Sequence, residues 1–344
     1  MKKIALIRLD KIGDLVSTLP CDEAFTGSGD RQGQATWLVY QSVSFLCEYS
    51  EPKRNYVALT SADTGFRELR EYLKKEKPEA VVIYYAPWWA SLACWLEGVP
   101  LRVGRKSQWH SYLFLNHSLR QSRSQSEMHE AEYNWDLTRF AALKCGIAMD
   151  HLKKSVGYLS LNPAPNRQLA ERFGLLSQQY VVIHPGMAGS ARNWSQGNYN
   201  ALIEKLVNAT TVVITGTPSD EPYLDQIKAQ WQNHDKVIWL QNELKINELL
   251  TVLKNAIAVI APSTGVLHLA ASVGVPTVGL YSPIRAHASK RWGPRSPNTQ
   301  ILEPEVQCPA SSKCLGLSCK DYDCMDHIKV NQIIQKLPLE SHRS

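Results

Sequence analysis

Short apolar runs ending in glycine- or aspartate-containing turns recur along the chain, each followed by a stretch whose apolar residues return every three or four positions. The first run, Lys3–Leu9, leads into Asp10-Lys-Ile-Gly-Asp14 and a periodic stretch from Leu15. A second of the same kind, Tyr180–His184, leads through Pro185-Gly186-Met-Ala-Gly189-Ser190 into a helical pattern over Tyr199–Val207. Both read as buried parallel strands opening a βα unit, because a strand covered on both faces is apolar throughout instead of alternating. Thr36–Tyr40, Ala80–Tyr84 and Arg102–Val103 continue the series in the first half, and Thr211–Thr215, Val237–Trp239, Ala258–Ala261 and Thr277–Tyr281 in the second. Between them, helical spacing predicts helices over Phe66–Lys75, Tyr133–Cys145, Asp220–Gln230 and Ile246–Lys254. The alternation predicts an α/β fold with two Rossmann-like, doubly wound parallel-sheet domains.

The pattern is interrupted at Leu161–Asn166, LNPAPN, where two prolines and two asparagines fall together. Domains are therefore expected at 1–165 and 166–328, with a terminal helix or tail at 329–344 that returns to the first domain. A chain of 344 residues is long enough for two cores of this size. Gln121–Glu127 alone has the composition of a disordered stretch. Two domains with their strand ends aimed at a shared cleft suit an enzyme with two substrates.

A hydrophobic share of 44% and a charged share of 20% fit packed cores. The net charge of +6 is modest and no Lys/Arg run accompanies it, which argues against a nucleic-acid partner. It suits an anionic membrane surface or a phosphorylated glycan. The opening MKKIALIRLDKIGDLVSTLP has a leader's lysines, but Arg8, Asp10, Lys11 and Asp14 break its apolar run. With no run of about 18 apolar residues either, a cytoplasmic protein is expected. In that compartment Cys21, Cys47, Cys94 and Cys145 read as reduced core residues.

Three segments, taken in order, resemble the ADP-heptose:lipopolysaccharide heptosyltransferase family, glycosyltransferase family 9. They are Ile7-Arg-Leu-Asp-Lys-Ile-Gly-Asp14 with Thr18-Leu-Pro20; His184-Pro-Gly186 with Ser190-Ala-Arg-Asn-Trp194; and Ser263-Thr-Gly265 with His268-Leu-Ala-Ala271, Gly274-Val-Pro276 and Arg291-Trp-Gly-Pro294. The resemblance spans nearly the whole chain. It implies the GT-B architecture, two Rossmann-like domains facing a cleft, and an inverting transfer from ADP-heptose to a sugar of the lipopolysaccharide core. No cofactor is needed for catalysis in that family. The acceptor is held mainly by the first domain, the donor by the second, and the enzyme works at the cytoplasmic face of the inner membrane. Another nucleotide sugar or acceptor, or a non-catalytic nucleotide-sugar-binding protein, is the alternative. A dinucleotide-dependent epimerase or dehydrogenase is disfavoured, since no G-x-G-x-x-G follows either opening strand.

Asp14 matches the family's proposed general base: a carboxylate within reach of an acceptor hydroxyl can take its proton as the glycosidic bond forms. The alternative is a carboxylate that only caps the helix starting at Leu15. Asp10, Lys11 and Gly13 share the loop and are candidates for acceptor contact. Charge on the departing diphosphate needs positive groups, and the helix start at Gly186–Ser190 together with Arg192 can supply them. Ser263, Thr264 and Gly265 form a second helix start with donors for phosphate. Ser263 stands where the family most often has aspartate, which weakens one expected donor contact. His268 either contacts a phosphate or sugar hydroxyl or packs in the core.

Cys308, Cys314, Cys319 and Cys324 follow C-x5-C-x4-C-x4-C, without the C-x2-C of common zinc sites. Structural zinc or iron, one or two disulfides, and free thiols all remain open. Trp88, Trp89, Trp95 and Trp109 are candidates for sugar stacking or core packing, and Arg102, Arg105, Lys106, Arg120 and Arg123 for acceptor phosphates or a solvated face.

Overall fold

The computed structural model describes residues 2–26, 34–147, 154–175, 179–187 and 192–339. The apolar runs become strands of two six-stranded sheets. The first contains β1 (Lys3–Arg8), β2 (Gln34–Tyr40), β3 (Tyr56–Leu59), β4 (Ala80–Tyr85), β5 (Leu101–Arg105) and β6 (His117–Leu119). Its order is β3-β2-β1-β4-β5-β6, with every neighbouring pair parallel. The second contains β7 (Tyr180–Ile183), β8 (Thr211–Gly216), β9 (Val237–Gln241), β10 (Ala258–Pro262), β11 (Thr277–Leu280) and β12 (Thr299–Leu302). Its order, β9-β8-β7-β10-β11-β12, is the same and again parallel. In each sheet the chain reverses direction of winding between its first and fourth strands, β1/β4 and β7/β10, and a crevice opens beyond their carboxyl ends.

Helices cover these sheets because their apolar faces have nowhere else to be buried. They include α1 (Ile12–Val16), α2 (Gly65–Glu76), α3 (Trp88–Leu96), α4 (Trp109–Phe114) and α5 (Glu130–Lys144) on the first sheet's side of the chain. The second half has α6 (Gln196–Leu206), α7 (Asp225–Trp231), α8 (Ile246–Lys254), α9 (Gly265–Ser272) and α10 (Val330–Ile334). The helix expected over Asp220–Gln230 is split into a 3-10 turn, Pro218–Tyr223, and α7, because Pro222 has no N–H to continue the ladder.

The chain divides into two compact units, Met1–Ser160 and Leu161–Ser344. One core joins Ala5, Ile7, Val81 and Ile83 to Leu69 and Leu73 of α2, and the other joins Val181, Ile183, Val212 and Ile260 to Leu202 and Leu206 of α6. The terminal helix, expected against the first domain, packs into the core of the second unit. Ile333 of α10 and Leu337 just beyond it enter the second core beside Met325 and Ile328, and Trp194 Nε1 donates to the Ile328 carbonyl at 3.0 Å. Gln121–Glu127 is ordered too, held by the buried side chain of Arg123.

Candidate active site

In the first unit, Leu9 N–H donates to the Tyr85 carbonyl at 2.8 Å, so the chain leaves β1 beside the end of β4, at the crevice. The turn that follows places Asp14 as the third residue of α1. Among the described residues no backbone N–H donates to its carboxylate, so it does not cap α1. Asp14 instead receives a hydrogen bond from Arg8 Nη2 to Oδ1 at 2.5 Å, and the same nitrogen donates to Asp10 Oδ2 at 3.2 Å. Arg8 is the last residue of an otherwise apolar strand and is only 2% exposed. Its other terminal nitrogen lies 3.9 Å from Glu130 Oε1, and its guanidinium stands over the Tyr85 ring.

A buried charge needs partners on every side, and the pairing continues inward. Arg123 Nη1 donates to Glu130 Oε1 and, at 3.0 Å, to Asn134 Oδ1. Asn134 Nδ2 donates to Thr18 Oγ1 at 2.9 Å, and Thr18 donates to the Asp14 carbonyl at 2.7 Å. The network thus returns to α1 and fixes it. Arg123, a candidate for acceptor phosphates or a solvated face, is 4% exposed and belongs to this network.

Burial raises the Asp14 carboxyl from 3.8 to about 6, against the pull of Arg8 and with help from the negative Asp10 and Glu130. No hydrogen bond among the described residues reaches its second oxygen, Oδ2. The group is therefore a base of near-neutral strength with a free lone pair. Asp10 and Gly13 are half-buried beside it and Lys11 is exposed.

In the second unit, His184 follows β7 and its backbone N–H donates to the Ile260 carbonyl of β10 at 2.9 Å. Its imidazole Nδ1 lies 3.1 Å from Thr215 Oγ1, and burial lowers its pKa to about 4, leaving the ring neutral. Gly186 is required for a steric reason: a Cβ there would stand 2.1 Å from Asp220 Cγ. Asp220 is buried against the Gly186 turn, and its Oδ2 accepts from Thr217 N–H at 2.8 Å and Thr217 Oγ1 at 2.7 Å, which fixes it within the loop after β8. Ser190 lies outside the described residues.

Ser263, Thr264 and Gly265 follow β10 and are half-buried. Thr264 caps α9, its hydroxyl accepting from Leu267 N–H, and the helix start sits beside the Gly186 turn because β7 and β10 are neighbours. His268 is 5% exposed in α9.

Arg192 lines a cavity of about 590 Å³ shared with Asn193, Ser195, Tyr223, His287 and Lys313. Ser195 caps α6, so that helix also starts at the cavity wall. The guanidinium of Arg192 lies 3.6 Å from the centre of the Tyr322 ring and donates to the Tyr322 carbonyl. Lys313 and His287 escaped the sequence reading; Lys313 sits inside the cysteine-rich segment, whose density drew attention to the thiols alone. Gly186 and Ser263–Gly265 are not among this cavity's lining residues.

Cys308, Cys314, Cys319 and Cys324 converge on one small pocket with Arg192. All four are free thiols, and among the described residues no group of three or more His, Cys, Asp or Glu side chains is arranged to hold a metal ion.

The chain resembles proteins of known class. A Haemophilus influenzae protein whose name provisionally calls it a glycosyltransferase is 29% identical over 321 residues, 91% of each chain. Lipooligosaccharide heptosyltransferase 2 of the same organism is 25% identical over 158 residues, 43% of this chain and 46% of its own length. Among solved structures, Escherichia coli ADP-heptose lps heptosyltransferase II superposes with a TM-score of 0.77 at 17% identity, covering 98% of this chain and 97% of its own. A Veillonella parvula member of glycosyl transferase family 9 gives 0.80 at 18% identity, covering 97% and 96%. These likenesses establish the GT-B fold. The sequence profile described as Glycosyltransferase family 9 (heptosyltransferase) matches residues 66–318, and on that match the chain belongs to this family of glycosyltransferases.

Proposed function

We propose that this glycosyltransferase moves heptose from ADP-heptose onto a sugar of the lipopolysaccharide core, in the cytoplasm at the inner face of the inner membrane. The observation that carries the proposal is Asp14: a carboxyl at the β1/β4 crevice, raised to about 6, with Oδ2 open. An acceptor hydroxyl hydrogen-bonded to Oδ2 attacks the anomeric carbon as its proton passes to the carboxylate. The bond from that carbon to the donor's phosphate breaks, ADP leaves, and attack from the opposite face inverts the anomeric centre. Arg8 keeps Asp14 in one rotamer.

The diphosphate gains charge as it departs, and Arg192 with Lys313 and the start of α6 offer positive potential to it. The start of α9 at Thr264 and Gly265, and the Gly186 turn, contribute backbone N–H donors to the nucleotide. The reading asks for no metal or other cofactor in the transfer.

Serine at 263 favours one second reading, the same transfer with a different nucleotide sugar, because a hydroxyl cannot supply the charge of the family's usual aspartate. Purified protein incubated with ADP-heptose and a deacylated core acceptor should release ADP, whereas UDP- and GDP-sugars should give only background. Arg192→Ala should lower turnover by about 10²–10³. Release from another nucleotide sugar alone would replace the donor assignment, and no release from any donor would remove the transferase mechanism.

A further inference from the structure

α3 turns Ala90, Ser91, Ala93 and Cys94, with Trp89 beside them, toward the core, while Trp88 is 49% and Trp95 is 50% exposed. Burying an indole removes far more apolar surface from water than burying a methyl group, so the core it packs on does not explain this arrangement. α4 repeats it: only Ser111 is buried, and Trp109 and Leu113 are 59% and 64% exposed. The rings join into one surface, with Trp88 6.0 Å from Trp109, Trp109 6.2 Å from Phe114, and Phe114 5.8 Å from Trp95. Contiguous exposed apolar area of this kind marks a place where something else docks.

The surrounding charge selects the occupant. From Trp88 to Leu119 the only acid is Glu97, and its Oε1 is taken by Arg70 Nε at 2.5 Å. The same stretch carries Arg102, Arg105 and Lys106, with the Lys106 ammonium 5.0 Å from the centre of the exposed Tyr112 ring. Exposed tryptophan and tyrosine rings with the Lys106 ammonium beside them, and no unpaired carboxylate between Trp88 and Leu119, match the headgroup layer of an anionic bilayer. We propose that the outer face of α3 and α4 docks the protein on an anionic phospholipid membrane, the rings entering the headgroup boundary and Lys106 meeting lipid phosphate.

The test uses the full chain, vesicles of phosphatidylglycerol with phosphatidylethanolamine, vesicles of phosphatidylcholine alone, and flotation. Wild type should float with the anionic vesicles, less so as salt is raised, and much less with phosphatidylcholine. Trp95→Ser combined with Leu113→Ser should lower the partition coefficient by about tenfold or more. Lys106→Glu should weaken anionic binding alone, and both variants should keep the wild-type circular dichroism and unfolding midpoint. The proposal is overturned if wild type stays unbound, if the variants float as wild type does, or if both vesicle types bind equally. It is also overturned if light scattering shows a dimer in wild type that the double variant loses while lipid binding is unchanged. The inference rests on the membrane-face placement proposed above; because no arm involves donor or turnover, its failure would leave the heptosyl transfer itself where it stands.

Discussion

Replacing Asp14 with asparagine separates what the residue does for catalysis from what it costs the fold. Asparagine has the shape of the protonated carboxyl and no charge. The Asp14 carboxyl is raised from 3.8 to about 6, chiefly by burial, so the folded protein holds the proton more tightly than the unfolded chain. A raised pKa contributes stability that is complete below about 4 and is lost as pH climbs through about 6. At about 1.4 kcal/mol per pH unit, the interval amounts to about 3 kcal/mol. Asp14→Asn and wild type should therefore unfold at similar urea concentrations near pH 3.5. The variant should become more stable by up to about 3 kcal/mol at pH 7.5, most of the gap opening between pH 4 and 6. Turnover should move the other way, falling by about 10²–10⁴, while wild-type kcat/KM rises with pH and levels off above about 6. Urea titrations across pH 3.5–8 and ADP release on the same samples give both readings. If the asparagine variant is less stable than wild type at pH 7.5, or if the gap is independent of pH, the burial argument for Asp14 is wrong.

Two further substitutions probe the supports. Glu130→Gln removes the anion shared by Arg123 and Arg8, and should cost about 3–5 kcal/mol in urea unfolding because the buried Arg123 loses its carboxylate and Arg8 loses one of three. Since Glu130 helps raise Asp14, the inflection of the pH–rate profile should also move down; an unmoved inflection would mean that the two groups do not interact. Gly186→Ala drives a methyl into Asp220, held by Thr217, and should cost about 1–3 kcal/mol, read from the urea midpoint. A midpoint equal to wild type would show that the loop yields without strain.

Much of the fold was readable because parallel strands buried on both faces announce themselves as unbroken apolar runs: Tyr180–His184 was expected and Tyr180–Ile183 is observed. Ile246–Lys254 was found to the residue because its apolar positions and its flanks agree. The site was readable only as far as local spacing reaches. Asp14, Asp10 and Arg192 stand out beside glycine turns, but the Arg8–Glu130–Arg123 chain joins positions far apart in sequence, and nothing local distinguishes a buried arginine from a solvated one. Arg8 looked like an interruption of an apolar run, whereas it terminates the strand as the hub of the charge network. The tail was misplaced for a similar reason: an amphipathic segment shows that it packs, not against which core.

That terminal arginine also has a consequence for how the protein tolerates change. Side chains alternate between the two faces of a sheet, so sliding β1 by one residue would exchange the environments of every side chain it carries. Arg8 would then meet hydrocarbon, and the carboxylates gathered around it would be left without their cation. The guanidinium therefore acts as an alignment pin for the founding strand, and errors in pairing are penalised at the same atoms that hold the Asp14 carboxylate. A drifting population with intact strands but a misplaced Asp14 carboxylate should be scarce, and selection for assembly alone would conserve much of the geometry around it.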